Sequence, residues 1–351
     1  MYDCRKVLIA LLVAVACCKS NDVSAQSSAR KQKPRDERDR VLLQQPGSSS
    51  RLVVRGTILS YTGHALLIRT GDGTKVREFP AASVLHVETA QTIDHLTGLK
   101  LFEEGKYPEA TAAFRLAIKQ DGRKWVRREI LAMLTRTALK QGDYTKAARV
   151  FSLLVESDPK TFHYHLIPLQ WSISTNTTDR LAAFAQLQSD SETIQLLGAS
   201  YLLLDQRYGT HAKVAMSKLA VSANKRIHEL ARAQLWRLKL LQSDGVSEFE
   251  LKRWRQKIEA MDSQFRGGPW YLLGHAYASR KEYHRAAATL LWPPLIYDYD
   301  HFLAARSCLE AADSMQKLGD HRDASLLYAE TARRFANTPS GKAAAALLKQ
   351  P

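Results

Sequence analysis

With the first 25 residues set aside, only Cys308 remains of the four cysteines in the 351-residue chain. An internal disulfide is then excluded, and an apolar core has to hold the fold together. Cys308 stands in an apolar helical stretch and reads as a small buried hydrophobe. The twelve-residue apolar run Val7–Cys18 is too short to span a bilayer comfortably. Acidic residues are scarce, 35 Asp and Glu against 51 Lys and Arg, which leaves a net charge of +16. The sequence has no nucleophile elbow, phosphate-binding loop or H-E-x-x-H zinc motif, so it carries none of the enzyme chemistry those patterns mark. The expectation is a protein that is not an enzyme and needs no cofactor and no metal.

What is present begins with an export signal. Arg5 and Lys6 precede the apolar run, and Val23-Ser24-Ala25 supplies the small residues of a cleavage site, giving a signal peptide over 1–25. Two other readings stay open: an uncleaved membrane anchor, and lipidation at Cys17. The expected address is periplasmic or secreted. Cleavage removes three bases and two acids and leaves +15, a charge that favours anionic partners. Outside the cytoplasm these are acidic proteins, anionic envelope polymers or membrane surfaces, and the address argues against nucleic acid. Residues 26–50 carry six bases and three acids and end in Pro46-Gly47-Ser48-Ser49-Ser50. That composition predicts a disordered basic linker.

Residues 51–90 change character. Leu52–Val54, Thr57–Leu59, Ala65–Ile68, Val76–Phe79 and Val84–Val87 are short β-rich runs. Gly71-Asp72-Gly73 reads as a hairpin turn. The expectation is a small all-β domain, SH3-like by analogy, with so thin a core that it leans on the segment after it.

From residue 91 the periodicity becomes helical. In Trp270–Leu290, Trp270, Leu273, Gly274 and Tyr277 fit W-x₂-L-G-x₂-Y, and Ala286 and Leu290 come next. Gly105-Lys106-Tyr107, Gly142-Asp143-Tyr144 and Leu318-Gly319-Asp320 each lead to a small residue before an apolar or aromatic one. These small residues are Ala110, Ala147, Ala286 and Ala324, spaced by 37, 139 and 38. The pattern resembles the tetratricopeptide (TPR) repeat superfamily, whose period is about 34 residues. Four such periods fit the long gap and predict three degenerate helix pairs in it. Phe162–Ile173 pairs with Arg180–Gln188, Thr193–Leu204 with His211–Ala223, and Arg226–Leu241 with Phe249–Phe265. Turns are expected at Asn176, Asp190, Gly209, Asn224, Asp244-Gly245 and Gly267-Gly268-Pro269. The expectation for 91–351 is thus a mainly α fold, a TPR-like α-solenoid of about seven helix pairs with a C-terminal capping helix.

The resemblance also implies a concave groove lined by the first helix of each pair. Carried onto the well-matched units, it gives Thr92, His95, Leu99 and Phe102; Ala132, Arg136 and Leu139; Tyr271, His275 and Ala278; and Arg306, Leu309, Asp313 and Gln316. Of these, His95, Phe102, Arg136, Tyr271, His275 and Asp313 are the candidate partner-binding residues. Two runs interleave Trp with bases and could bind a polyanion through charge and stacking. One holds Arg123, Lys124, Arg127 and Arg128, the other Lys252, Arg253, Arg255 and Lys257. His163 and His165, with His211 or His228, offer imidazoles to a metal, but residues two apart face different ways on a helix. Asp298, Asp300 and His301 fit turn and N-cap roles better than acid–base catalysis. Asn176-Thr177-Thr178 fits an N-glycosylation pattern. Together these residues lead to a non-enzymatic scaffold outside the cytoplasm, holding a partner protein in the groove. The alternative is a basic module for an anionic envelope polymer or membrane surface.

Overall fold

The structure, a computed structural model, describes residues 39–45, 47, 50–71, 75–173, 179–242 and 245–349. The signal segment, Cys17, most of the basic linker, Asp72-Gly73 and Asn176-Thr177-Thr178 lie outside these residues.

The first described element corrects the linker. Asp39–Gln44 forms strand β1, joined by β2 (Arg51–Tyr61), β3 (Ala65–Thr70), β4 (Lys75–Pro80) and β5 (Val84–Glu88). All pairings are antiparallel, in the order β4-β3-β2-β1-β5, so β1 stands between β2 and β5. Alternation explains why a stretch flanked by bases becomes an inner strand. Asp39, Val41 and Leu43 point inward while Arg40 points out. Val41 pairs with Val54 on one side and Val87 on the other. The buried Asp39 carboxylate accepts the Ile58 amide at 2.7 Å and the Thr89 hydroxyl, which satisfies a charge that would otherwise be costly inside.

The remainder is mainly helical. It begins with α1 (Ile93–Glu103), α2 (Tyr107–Gln120), α3 (Lys124–Gln141) and α4 (Tyr144–Ser157), packed as the hairpins α1/α2 and α3/α4. Thr92 caps α1 by accepting the His95 amide, and Asp143 caps α4. Gly142 ends α3 at φ +70°, a left-handed conformation that glycine adopts without steric cost. The β unit has no separate core. Val41, Leu43, Val54, Ile58, Leu66 and Ile68 join Ala110, Phe114 and Ala117 of α2 and Trp125, Val126, Ile130 and Leu134 of α3 in one buried cluster. A thin five-stranded sheet thereby gains an apolar surface that its own forty-odd residues cannot supply.

The next segment departs from the helical expectation. Phe162–Leu166 is a 3₁₀ turn, and the chain then runs without regular structure to residue 173. Pro168 is the reason. It keeps Ile167 out of the helical region, at φ −52° and ψ 116°. The stretch is nevertheless buried through Tyr164, Leu166, Ile167, Leu169 and Trp171. Side chains of later helices satisfy its backbone: Tyr201 donates to the Pro168 carbonyl at 2.7 Å, Arg237 to that of Ser172 at 2.9 Å, and Arg226 to that of Thr161 at 3.3 Å.

Downstream come α5 (Arg180–Leu187), α6 (Glu192–Leu202), α7 (Gly209–Leu219), α8 (Lys225–Leu240) and α9 (Glu248–Ala260). Without a helix at 162–173, α5 packs most closely on α6. Gly198 of α6 makes this possible, because a Cβ there would strike the α5 backbone at Ala183 and Leu187. The remaining helices are α10 (Gly267–Ser279), α11 (Tyr283–Leu290), α12 (Trp292–Ile296), α13 (His301–Leu318), α14 (His321–Arg334) and α15 (Pro339–Leu347). Gly267-Gly268-Pro269, read as a turn, is instead the first turn of α10. Gly268 presses on the Trp171 indole with no room for a side chain. The expected small residues Ala110, Ala147, Ala286 and Ala324 are all fully buried, and Cys308 is buried with a free thiol.

Early and late helices also meet. Tyr144 donates to the Asp300 carboxylate at 2.7 Å, Lys140 to the Asp298 carbonyl at 3.3 Å, and the Phe302 ring covers Gly142. Tyr164 lies edge-on to Phe265 and His165 to Tyr299. The irregular 161–173 segment is thus enclosed between the α3/α4 turn and the start of α13. Among the described residues no helix is long and apolar enough to cross a membrane.

Candidate functional site

The expected groove residues separate into groups. His95 is 3% exposed, sealed edge-on against Phe114, and burial lowers its pKa. It is a core residue and offers nothing to a partner. Ala132 and Leu139 are likewise buried. Phe102 and Arg136 do come together, with the guanidinium of α3 lying 5.1 Å from the ring centre of α1. Arg136 stays exposed.

Tyr271 and His275 converge on a residue outside the groove pattern. Glu310 of α13 accepts the Tyr271 hydroxyl on Oε1 at 2.8 Å and faces His275 Nδ1 through Oε2 at 2.8 Å. Tyr271 is 1% exposed, and its pKa is raised well above the ordinary value, first by burial and then by the Glu310 charge. Arg306, one turn before Glu310, also bonds Tyr271 and opposes that rise. Tyr271 therefore positions Glu310, and His275, Arg306 and Glu310 keep partial exposure. The i,i+4 spacing of Arg306 and Glu310 was the available signal for this pair. Asp313 sits one turn further along, holds the Tyr328 hydroxyl at 2.7 Å, and has its pKa raised by burial.

The metal and acid–base candidates are dispersed by role. His163 lies 3.1 Å from the Glu129 carboxylate, while His165 faces Phe162 and Tyr299. Among the described residues no group of three His, Cys, Asp or Glu side chains is placed to hold a metal ion. Asp300 caps α13 by accepting the Leu303 amide at 3.0 Å. Burial raises its pKa. Asp298 pairs with Arg334 at 3.0 Å. A cavity of about 20 Å³ beside His165, Tyr299 and Asp300 has room for about one water. A larger opening of about 430 Å³ between α4, α5 and α6 is lined by Arg149, Glu156, Gln186 and Tyr201 among others. Its described lining residues include no histidine or cysteine.

The two Trp-basic runs fare differently. In the first, Arg128 is 7% exposed and donates to the Tyr61 carbonyl at 2.6 Å. Arg123 binds Asp121, Thr89 and the Ala90 carbonyl. Both arginines fasten the sheet to the helices, and only Lys124 and Arg127 are left exposed. In the second, Lys252, Arg253, Arg255 and Lys257 are all exposed on α9. Lys252 is near Glu248 at 3.8 Å and Arg255 near Glu259 at 3.7 Å. No family model matches the chain, and no curated protein matches it.

Proposed function

We propose that the chain is a non-enzymatic scaffold or adaptor that holds a partner protein on the inner face of a TPR-like α-solenoid of about seven helix pairs. The observation that carries this reading is the recurrent hairpin contact. Gly98 of α1 meets the Phe114 ring of α2, and Gly274 of α10 meets Leu290 of α11. In both, a missing Cβ lets two helices approach and leaves the first helix's other side chains free to face a ligand. Phe102, Arg136, His275, Arg306 and Glu310 are the side chains offered there, a mixture of aromatic and both charges suited to a folded or extended protein segment. The five-stranded unit, SH3-like by analogy, closes the N-terminal end of the stack by sharing its core. Action outside the cytoplasm is supported by the sequence of the first 25 residues.

Crosslinking in cells followed by mass spectrometry, comparing wild type with Arg136→Ala/His275→Ala, tests the reading. Specific protein partners should be recovered and should fall several-fold in the double variant. Recovery of no protein, or identical recovery from both chains, would refute it. Tyr271 is left intact because its burial would confound binding with folding.

A further inference from the structure

Of the two Trp-basic runs, the second is assembled into a larger feature by tertiary packing. Trp254 of α9 stacks on Trp236 of α8 with centroids 4.5 Å apart and planes 5° from parallel. Arg232 stands four residues before Trp236 and Lys239 three after it, so both share its face of α8. Lys257 stands three residues after Trp254, and Arg253 one turn before Lys257. The indole stack therefore brings four exposed cations from two helices to one place. Burial disfavours the charge on Lys257, and Arg253, Arg232 and Lys239 add to the effect. Among the described residues the single carboxylate paired with these four is Glu250, bound to Lys239. Arg232 spends one donor on the Ala220 carbonyl, and Arg253 leans over Phe249. Arg253 and Lys257 have no carboxylate partner among the described residues.

We infer that the α8–α9 face is a binding site for a linear chain of phosphate groups, engaged by Arg232, Arg253 and Lys257. Fixed, like-charged side chains that repel one another are relieved by a multivalent anion. Two of the three are guanidiniums, and Arg232 spends only its Nε on the Ala220 carbonyl, so planar N–H pairs remain that match phosphate oxygens two at a time. Nucleic acid is disfavoured as the source. Trp236 and Trp254 are 6% and 4% exposed, with their faces spent on each other, so no ring is free to stack a base. The inference does not depend on the inner-face partner, which uses other helices.

The test is binding of inorganic polyphosphate to the full chain at several salt concentrations. Wild type should bind, with affinity falling linearly on a log–log salt plot. Arg232→Gln/Arg253→Gln/Lys257→Gln should weaken binding at low salt by roughly tenfold or more and reduce the salt slope by about two. Lys252→Gln/Arg255→Gln, on the same helix but near carboxylates, should stay within about twofold. Lys257→Glu alone serves as a second variant should the triple one lose its thermal transition. Absence of binding by wild type would overturn the assignment, as would equal loss in both multiple variants or an unchanged slope. Equal affinity for polyglutamate would overturn the choice of phosphate. Tighter binding of a single-stranded oligonucleotide of equal phosphate number would overturn the exclusion of nucleic acid.

Discussion

His301 should make the fold sensitive to mild acid. The ring packs 4.9 Å from Phe335, and its Nδ1 is buried with no hydrogen-bond partner. Burial, and then the positive charge of Lys140, push its pKa down from 6.5 to about 4. Between those values the unfolded chain binds a proton on this ring that the folded chain refuses. The contribution of His301 is therefore complete above about pH 6.5 and is lost as pH falls toward 4. The full gap corresponds to roughly 3 kcal/mol. The ring keeps some contact with solvent, so about 2 kcal/mol is the expected size. His301→Phe keeps an aromatic ring against Phe335 and leaves no nitrogen to protonate. Urea unfolding of both chains at pH 7 and pH 4.5 measures the effect. Carboxylates titrate in both, so the difference between the two pH-dependent losses isolates His301. Wild type should lose about 2 kcal/mol more than the variant. Equal losses would refute the reasoning that the ring is held neutral by its surroundings.

Packing sets the size of the remaining effects. A Cβ at Gly274 would lie 2.6 Å from Leu290 Cγ, so Gly274→Ala should cost about 1–3 kcal/mol by overpacking. Gly105→Ala meets no neighbour but sits at φ +75° and should cost about 1 kcal/mol from backbone strain alone; thermal melts of the pair rank the two effects. Tyr144→Phe removes the 2.7 Å bond to buried Asp300 and should cost about 1.5–3 kcal/mol, read by urea unfolding at pH 7. Unchanged stability in Tyr144→Phe would mean that this hydrogen bond to Asp300 contributes nothing to the fold.

How far the candidate site was legible in the sequence depends on range. Ala147, Phe151 and Leu154 announced α4, because burial on one face of a helix repeats every three to four residues. Gly142 and Gly319 marked the ends of α3 and α13, since the left-handed conformation at φ +70° and +80° favours glycine. Pro168 is a helix breaker inside the run Phe162–Ile173, where the chain leaves the helical region at Ile167. The exposure of groove positions was not legible. Thr92 and His95 lie one turn apart, yet Thr92 caps the helix and His95 is sealed beneath Phe114. Spacing from Arg306 marks Glu310 locally, but its contacts with Tyr271 and His275 were not legible, because those partners are more than thirty residues away in the chain.

The sequence by itself determined the local elements of this protein: short β runs before residue 90, helices after it, and the glycine and alanine positions where helices approach. These arise from backbone sterics and short-range periodicity, which each segment carries alone. Tertiary structure decided the rest. It placed β1 inside the sheet, because Val41 and Leu43 find buried partners only after β2 and β5 pair on either side. It took Arg123 and Arg128 into the interface between sheet and helices. It brought Arg232 and Lys239 of α8 beside Arg253 and Lys257 of α9. Charges separated by about twenty residues of sequence come together only when Trp236 and Trp254 stack between them.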